Sequence, residues 1–386
     1  MLSDIIFIPL ISVLGFLFNS NIKVSYKDKR NLNALWVFHL SLSVAYYFYI
    51  TINGGDALGY WIHAQEMRGV YFVYNLFNTQ GTEFMVTLNY IPANVLNMGF
   101  FSNTLLYGLL GFIGFTFFYR ICIHTIPYNT QYKNYWLFPL LLFLPNMHFW
   151  SSGIGKDTML FLCIMMVSYG MMRVVKRFPL VITGLLLSYG IRPHITLIML
   201  LSFGITYVIS GEKSKEQRIF LSVLLLAVAI AIMPMVLDYV NIDEASVDGL
   251  ERFSEERAVG LSSGNSFVNI SSYPYPLKVL TFVYRPFFFD INGIPALVAS
   301  FENLLLLLLS IKVIRNHPIR TFKAAPLAIQ GLFLFFILGV SVFSMSMSNL
   351  GIILRMRNMF LPGLIIFILW SFSYQQTLAS KNKKNV

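Results

Sequence analysis

Residues 218–238 read RIFLSVLLLAVAIAIMPMVLD, an apolar run with charged residues only at its two ends. The hydrocarbon core of a bilayer is about 30 Å thick, and an α-helix needs roughly 20 apolar residues to cross it. Because this run has that length and keeps Arg218 and Asp238 at its borders, it predicts a transmembrane helix.

Similar runs recur along the chain. Of its 386 residues, 56% are hydrophobic and 12% are charged, whereas a soluble domain carries about 25% charged residues. So few charges leave too little polar surface to cover a water-soluble globule. We therefore predict an all-α, polytopic transmembrane bundle of about 11 spans, forming a single integral membrane domain over residues 1–386. The candidate spans are 3–20, 34–52, 102–122, 135–149, 158–174, 178–191, 194–211, 218–238, 293–312, 326–345 and 355–374.

The charge distribution predicts the orientation of these spans. With the N-terminus outside and the C-terminus inside, 19 of the 28 Lys and Arg residues fall inside, including a basic cytoplasmic tail at 375–386. Only Asp28, Glu212 and Glu216 of the 17 acidic residues join them. Basic residues collect in cytoplasmic loops, so the net charge of +11 indicates membrane topology and not nucleic-acid binding. The first span lacks leading basic residues, which favours a retained helix over a cleaved signal peptide.

Two outer segments are too long to be simple turns. The first, 53–101, is rich in Tyr, Phe and Asn and predicts amphipathic or re-entrant helices at the membrane surface. The second, 239–292, begins with acidic residues between Asp243 and Glu256 and ends in the aromatic run YRPFFFD at 284–290. Long loops in compact proteins are usually functional or disordered, and the aromatic residues of these two favour function.

A glycine turn presents a carboxylate in the first of these segments. The sequence NGGDALGY at 53–60 follows a span directly, and its paired glycines allow a tight turn. Asp56 is a candidate general base for a hydroxyl group, with Tyr60 and His63 as secondary candidates. The alternative is that Asp56 simply caps the following helix.

Cationic residues stand at four other outer helix ends. WSSGIGKD at 150–157 combines free N–H groups at a helix start with Lys156, which suits an anion, although Asp157 as a helix cap is the alternative. YGIRPH at 189–194 places Arg192 at a helix start, where the alternative to a site role is an interfacial arginine on lipid phosphate. His194 is a secondary candidate for acid–base chemistry, and a structural hydrogen bond is its alternative.

The remaining two positions are arginine-rich. Arg285 lies in the aromatic run, where a guanidinium at membrane depth needs an anion or a carboxylate such as Asp290. Arg355 and Arg357 stand in LRMRN at 354–358, about 200° apart on a helix, so only one of them is expected to face a site. Together these cations predict a site for a strongly anionic ligand at the bilayer surface.

Three of these motifs resemble known families. GGDALGY at 54–60 resembles the acidic loop motif of GT-C membrane glycosyltransferases, and WSSGIGKD at 150–157 and YRPF at 284–287 resemble segments of Wzy- and EpsG-like oligosaccharide repeat-unit polymerases. The resemblance implies transfer of a sugar or oligosaccharide from a polyprenyl (pyro)phosphate donor to a glycan or lipid-linked acceptor, on the periplasmic face of the bacterial inner membrane.

By that resemblance Asp56 is the base that deprotonates the acceptor. The phosphate leaving group would be held by Lys156, Arg192, Arg285 and Arg355 or Arg357. No second acid adjoins Asp56, so no cofactor is expected and a divalent metal is not indicated. Asp56 follows the second predicted span, whereas the acidic loop of GT-C enzymes follows the first. If the chain works without a carboxylate base, Asp56 is structural and the arginines form the site.

Three other classes of function compete with this one. A transporter or flippase of an anionic lipid-linked glycan should have ionisable residues at mid-membrane. The centres of the predicted spans are apolar instead, with Glu302 as the main exception. A non-catalytic envelope-assembly protein needs no clustered cations. An acyltransferase usually needs a His–Asp pair, for which His63 with Asp56 is the weak candidate.

Overall fold

The structure is a computed structural model that describes residues 2–126, 130–132, 135–209, 211, 213–240, 266–270 and 272–384. Nearly all of its elements are helices, as predicted, and one two-stranded antiparallel ribbon joins β1 (Gln131–Tyr132) to β2 (Tyr135–Trp136). The α-helices are α1 (Leu2–Ser20), α2 (Tyr26–Asn53), α3 (Asp56–Glu66), α4 (Val70–Asn78), α5 (Thr82–Tyr90), α6 (Phe100–Thr125), α7 (Leu137–Leu140), α8 (Pro145–Trp150), α9 (Lys156–Met171), α10 (Phe178–Ile191), α11 (Pro193–Ile209), α12 (Lys215–Val240), α13 (Tyr275–Tyr284), α14 (Ile294–Ile314), α15 (Pro318–Lys323), α16 (Leu327–Ser346), α17 (Leu350–Arg357) and α18 (Leu361–Lys384).

Six helices within the described residues are long and apolar enough to cross a membrane: α1, α2, α6, α12, α14 and α16. A seventh candidate is the pair α17 and α18, which is bent by 60° at the break between them. All seven overlap predicted spans, so the prediction of a multi-pass helical membrane protein is confirmed. The prediction of about 11 spans is not confirmed, and the orientation stays a prediction.

The four spans that lack support are shorter or interrupted. Residues 135–149 contain β2, the four-residue helix α7, a 3-10 turn at Leu141–Phe143 and all of α8 but its last residue. Pro139 and Pro145 each lack the N–H that a continuous helix needs. Helix α10 has 14 residues, about 21 Å at 1.5 Å per residue, which is less than the bilayer core. Helices α9 and α11 have 16 and 17 residues.

The described helices pack as two compact units, and whether they act as one integral membrane domain stays a prediction. Unit 1 comprises Met1–Ile121 and Leu142–Arg192. Its centre is α9, which is buried along nearly its whole length and packs against α10. Helix α2 packs against α1 and α8, and Trp36 is fully buried against Phe112.

The segment 53–101 of unit 1 is helical, as expected, and its location at the membrane surface stays a prediction. It contains α3, α4, α5 and a π-helical turn at Ile91–Val95. Helix α3 packs against both α5 and the π-helical turn, and α4 packs against α5. The helix that begins at Asp56 therefore packs on the helix that begins at Thr82, which matters for the candidate site.

Unit 2 comprises Cys122–Leu141 and Pro193–Val386. Helix α16 is its centre and packs against α11, α13 and α18, while α12 packs against α11. The backbone of Phe267 pairs with that of Asn349, which ties the residues before α13 to the start of α17. The acidic part of the predicted outer segment 239–292, from Asp243 to Glu256, lies outside the described residues.

Candidate functional site

The turn at 151–157 is buried in unit 1 and leaves little room between its backbone and the neighbouring helices. A Cβ atom on Gly111 of α6 would overlap the Ser151 carbonyl oxygen, and a Cβ atom on Gly153 would overlap the Tyr46 ring. Tyr46 donates its hydroxyl to the Ile154 carbonyl oxygen at 3.1 Å. Close packing and this hydrogen bond fix the position of the following residues, Lys156 and Asp157, at the start of α9.

Lys156 joins this turn to the predicted outer segment 53–101. Its Nζ atom donates to the Thr82 hydroxyl at 3.2 Å, at the first residue of α5. The backbone next to Thr82 is held as well, because the Gly81 N–H donates to the Gly190 carbonyl oxygen at 2.8 Å. The start of α9, the start of α5 and the end of α10 therefore meet in one place.

Arg192 reaches the same place from the end of α10. Its Nη1 atom lies 3.5 Å from Oδ1 of Asp157, and the two side chains are 12% and 7% exposed. Of the predicted phosphate ligands, Arg192 thus pairs with Asp157, and Lys156 is the residue next to Asp157 in the chain. The three side chains sum to one positive charge, which favours an anionic ligand. We call Thr82, Lys156, Asp157 and Arg192 the unit 1 cation cluster.

Asp56 is the first residue of α3 and its side chain is exposed. Gly54 and Gly55 precede it with φ of 73° and 140°, in the region that favours glycine. Gly55 occupies the cap position, so Asp56 lies in the first helical turn and is not the cap residue that the alternative interpretation required. Its carboxylate belongs to a helix that packs on α5, and its role as a base stays a prediction.

The two secondary candidates on α3 differ in burial. Tyr60 is 3% exposed, so its side chain is buried. His63 is exposed and lies seven residues from Asp56, about 10 Å along the helix axis at 1.5 Å per residue. That separation is too long for a His–Asp hydrogen bond of the kind an acyltransferase uses.

In unit 2, Arg285 and Asp290 form a forked ion pair. Arg285 Nε donates to Asp290 Oδ2 at 3.0 Å, and its Nη2 donates to Oδ1. Asp290 Oδ2 also accepts the Phe287 backbone N–H at 2.8 Å. The hydrogen bonds to Asp290 raise the pKa of the Arg285 guanidinium, so its charge is retained at any physiological pH. Asp290 therefore holds Arg285, and phosphate binding by Arg285 stays a prediction.

Arg357 is 1% exposed, and the structure distinguishes it from Arg355, which is half-buried. Arg357 Nη1 donates to the carbonyl oxygens of Val283 at 2.8 Å and Arg285 at 3.0 Å, and Nη2 donates to Asn303 Oδ1. Asn303 Nδ2 in turn donates to the Pro286 carbonyl oxygen at 2.7 Å. This geometry favours a positioning role for Arg357, and phosphate binding by Arg355 or Arg357 stays a prediction.

Two residues in these clusters were missed by the sequence analysis. Thr82 and Asn303 are uncharged, and their partners Lys156 and Arg357 are 74 and 54 positions away. No local pattern marks such residues. His194, a secondary candidate, packs its ring against Phe343 at 5.8 Å between centroids, and its acid–base role stays a prediction.

Among the described residues no group of three or more His, Cys, Asp or Glu side chains could hold a metal ion. Comparisons with protein-family models, curated proteins and solved structures found no match to this chain. The fold thus defines the class, a multi-pass helical membrane protein. The family resemblance of its motifs stays an expectation.

Proposed function

We propose that this chain is a membrane glycosyltransferase or polysaccharide repeat-unit polymerase of the bacterial inner membrane. It would transfer a sugar or oligosaccharide from a polyprenyl (pyro)phosphate donor on the periplasmic face. The observation that supports this most is the contact between Lys156 and Thr82. It brings a cation of the 151–157 turn onto the helical segment that carries Asp56.

The unit 1 cation cluster suits the leaving group of this reaction. When the bond between the anomeric carbon and the phosphate oxygen breaks, negative charge builds on the (pyro)phosphate. Cations fixed in advance stabilise that charge more in the transition state than in the ground state. Lys156 and Arg192 are fixed by Thr82 and Asp157, so little reorganisation is needed when the charge forms.

Asp56 supplies the complementary half of the chemistry. The acceptor hydroxyl oxygen attacks the anomeric carbon, its proton passes to the Asp56 carboxylate, and the polyprenyl (pyro)phosphate leaves. An exposed carboxylate at the start of α3 is accessible to an acceptor. The polyprenyl chain keeps the donor in the bilayer, which accounts for a site at helix ends.

The experiment is a deletion in the native host, complemented with the wild type, Asp56→Asn or Lys156→Gln, with surface glycan length read on a gel. A ladder that collapses to single units and returns only with the wild type is the expected result. Glu66→Gln, at the other end of α3, removes a similar exposed carboxylate and should restore the full ladder. Protein abundance is measured for every variant.

Two outcomes contradict the proposal. A full ladder with Asp56→Asn at normal abundance removes Asp56 as the base and moves the chemistry to the cations. A full ladder in the deletion strain itself removes the polymerase function for that glycan and favours a single-sugar transferase or a flippase.

A further inference from the structure

An apolar groove of about 280 Å³ lies in unit 2 where α15, α16 and α18 meet. Only apolar side chains line it, among them Ile319, Phe322, Phe333, Ile337 and Phe367. Ile319 is 72% exposed and Ile337 is 41% exposed, so the groove opens to the surroundings of the protein. In a bilayer those surroundings include lipid chains.

The groove is held in shape by side-chain contacts and hydrogen bonds. Phe333 and Phe367 stack with ring centroids 3.9 Å apart. Gln330 Nε2 of α16 donates to the Phe322 carbonyl oxygen at 3.0 Å, and Trp370 Nε1 of α18 donates to the Thr321 carbonyl oxygen at 3.0 Å. The short helix α15 is therefore tied to both of its neighbours, and the groove exists before any ligand binds.

Exposed cations border the groove. On α15, Arg320 follows the groove residue Ile319 and Lys323 follows the groove residue Phe322. Arg315 precedes the helix, and all three cations are exposed. Helix α15 therefore carries both groove-lining apolar residues and exposed basic residues, a combination suited to the membrane interface. None of these three cations forms an ion pair within the described part of the chain.

The sequence around the groove offers no negative charge. From Asn303 to the C-terminus at Val386 the chain contains no Asp or Glu. Within the described part of the chain no ion pair neutralises these three cations. Cations beside a preformed apolar groove are complementary to a molecule with an anionic head and a hydrocarbon chain.

We propose that this groove binds one anionic phospholipid, with an acyl chain along Phe333 and Phe367 and the phosphate on Arg315, Arg320 and Lys323. By the predicted orientation this end of α15 faces the cytoplasmic leaflet, where basic pockets between helices attract anionic headgroups. A zwitterionic lipid offers the same chains, but its own cation offsets its phosphate. The proposal is independent of the glycosyltransferase function.

The test uses the purified, delipidated full chain in detergent and native mass spectrometry. Phosphatidylglycerol and phosphatidylcholine with identical acyl chains are added at equal concentration. We expect the phosphatidylglycerol adduct to predominate. R320Q/K323Q should lower its apparent affinity roughly 10- to 30-fold, because each cation near an anionic headgroup contributes about a factor of five. A matched control, K27Q/R30Q, removes two exposed charges from another predicted inner loop and should keep the preference.

A second variant tests the apolar half of the site. I337W fills the groove without changing a charge, and it should weaken retention of phosphatidylglycerol. Glycerol phosphate, which has the headgroup chemistry without chains, should not displace the bound lipid. Equal binding of the two lipids, an equal loss in K27Q/R30Q, or displacement by glycerol phosphate would each overturn the proposal.

Discussion

The guanidinium of Arg192 lies 3.5 Å from the carboxylate of Asp157, and both side chains are largely buried. The two residues come from the end of α10 and the start of α9, which pack along each other in unit 1. This pair fixes one predicted phosphate ligand relative to another, because Lys156 is the neighbour of Asp157 in the chain. The pair therefore links the packing of unit 1 to the proposed chemistry.

Removing one member of this pair should destabilise the protein more than removing both. Asp157→Asn leaves Arg192 without its carboxylate, and we expect a loss of about 1–3 kcal/mol, below the range for fully buried pairs because both side chains retain some exposure. Arg192→Gln should behave similarly. Thermal unfolding of the two single variants and the double variant in detergent measures the coupling, expected at about 0.5–3 kcal/mol. Strictly additive losses would show that the two residues do not interact.

A methyl group on Gly111 should disrupt the 151–157 turn. Gly111→Ala places a Cβ atom onto the Ser151 carbonyl oxygen, and overpacking of this kind costs about 1–3 kcal/mol. Gly59→Ala in α3 is the matched control, since nothing lies within 4 Å of a Cβ atom there. Thermal stability should fall for Gly111→Ala and stay equal or rise slightly for Gly59→Ala. Equal stability of both variants would contradict the close approach described for α6.

Replacing Arg357 by lysine should destabilise the protein. A lysine ammonium does not reproduce the planar set of donors that reaches Val283, Arg285 and Asn303. Arg357→Lys should lower stability by about 1–3 kcal/mol, because buried carbonyl groups lose hydrogen bonds. Arg355→Lys is the control and should change stability by less than about 0.5 kcal/mol. The measurement is the unfolding temperature of both purified variants relative to the wild type. Equal decreases for Arg357→Lys and Arg355→Lys would contradict the positioning role of Arg357.

The Arg285–Asp290 pair predicts how stability depends on alkaline pH. Hydrogen bonds to Asp290 raise the pKa of Arg285. A cation whose pKa rises on folding stabilises the fold fully below its unfolded pKa, so the wild type should lose none of this contribution between pH 7 and 10.5. An unperturbed lysine titrates near pH 10.4. Stability of Arg285→Lys relative to the wild type should therefore begin to fall near pH 10.4 and keep falling as the pH rises through the raised folded pKa of that lysine. A difference that stays constant from pH 7 to well above pH 10.4 would show that the lysine gains no charge-dependent stability from Asp290.

The long membrane helices were predictable from the sequence, whereas the number of spans and the short helices were not. Runs such as 218–238 have a length and apolarity that suit a bilayer core regardless of their neighbours, and seven predicted spans overlap helices of the required length, counting the bent pair. Residues 135–149 have a similar composition, but Pro139 and Pro145 interrupt the helix. Hydropathy averages over a window and does not register where backbone hydrogen bonding stops.

The candidate site shows the same division. Which side chains carry charge, and that Lys156, Arg192 and Asp56 stand at helix ends, could be predicted from residue type and from local helix signals. That Lys156 contacts Thr82, that Arg192 pairs with Asp157, and that Arg357 is buried could be learned only from the folded chain. These facts depend on contacts between residues far apart in the chain, where packing of whole helices fixes the distance and no local pattern does.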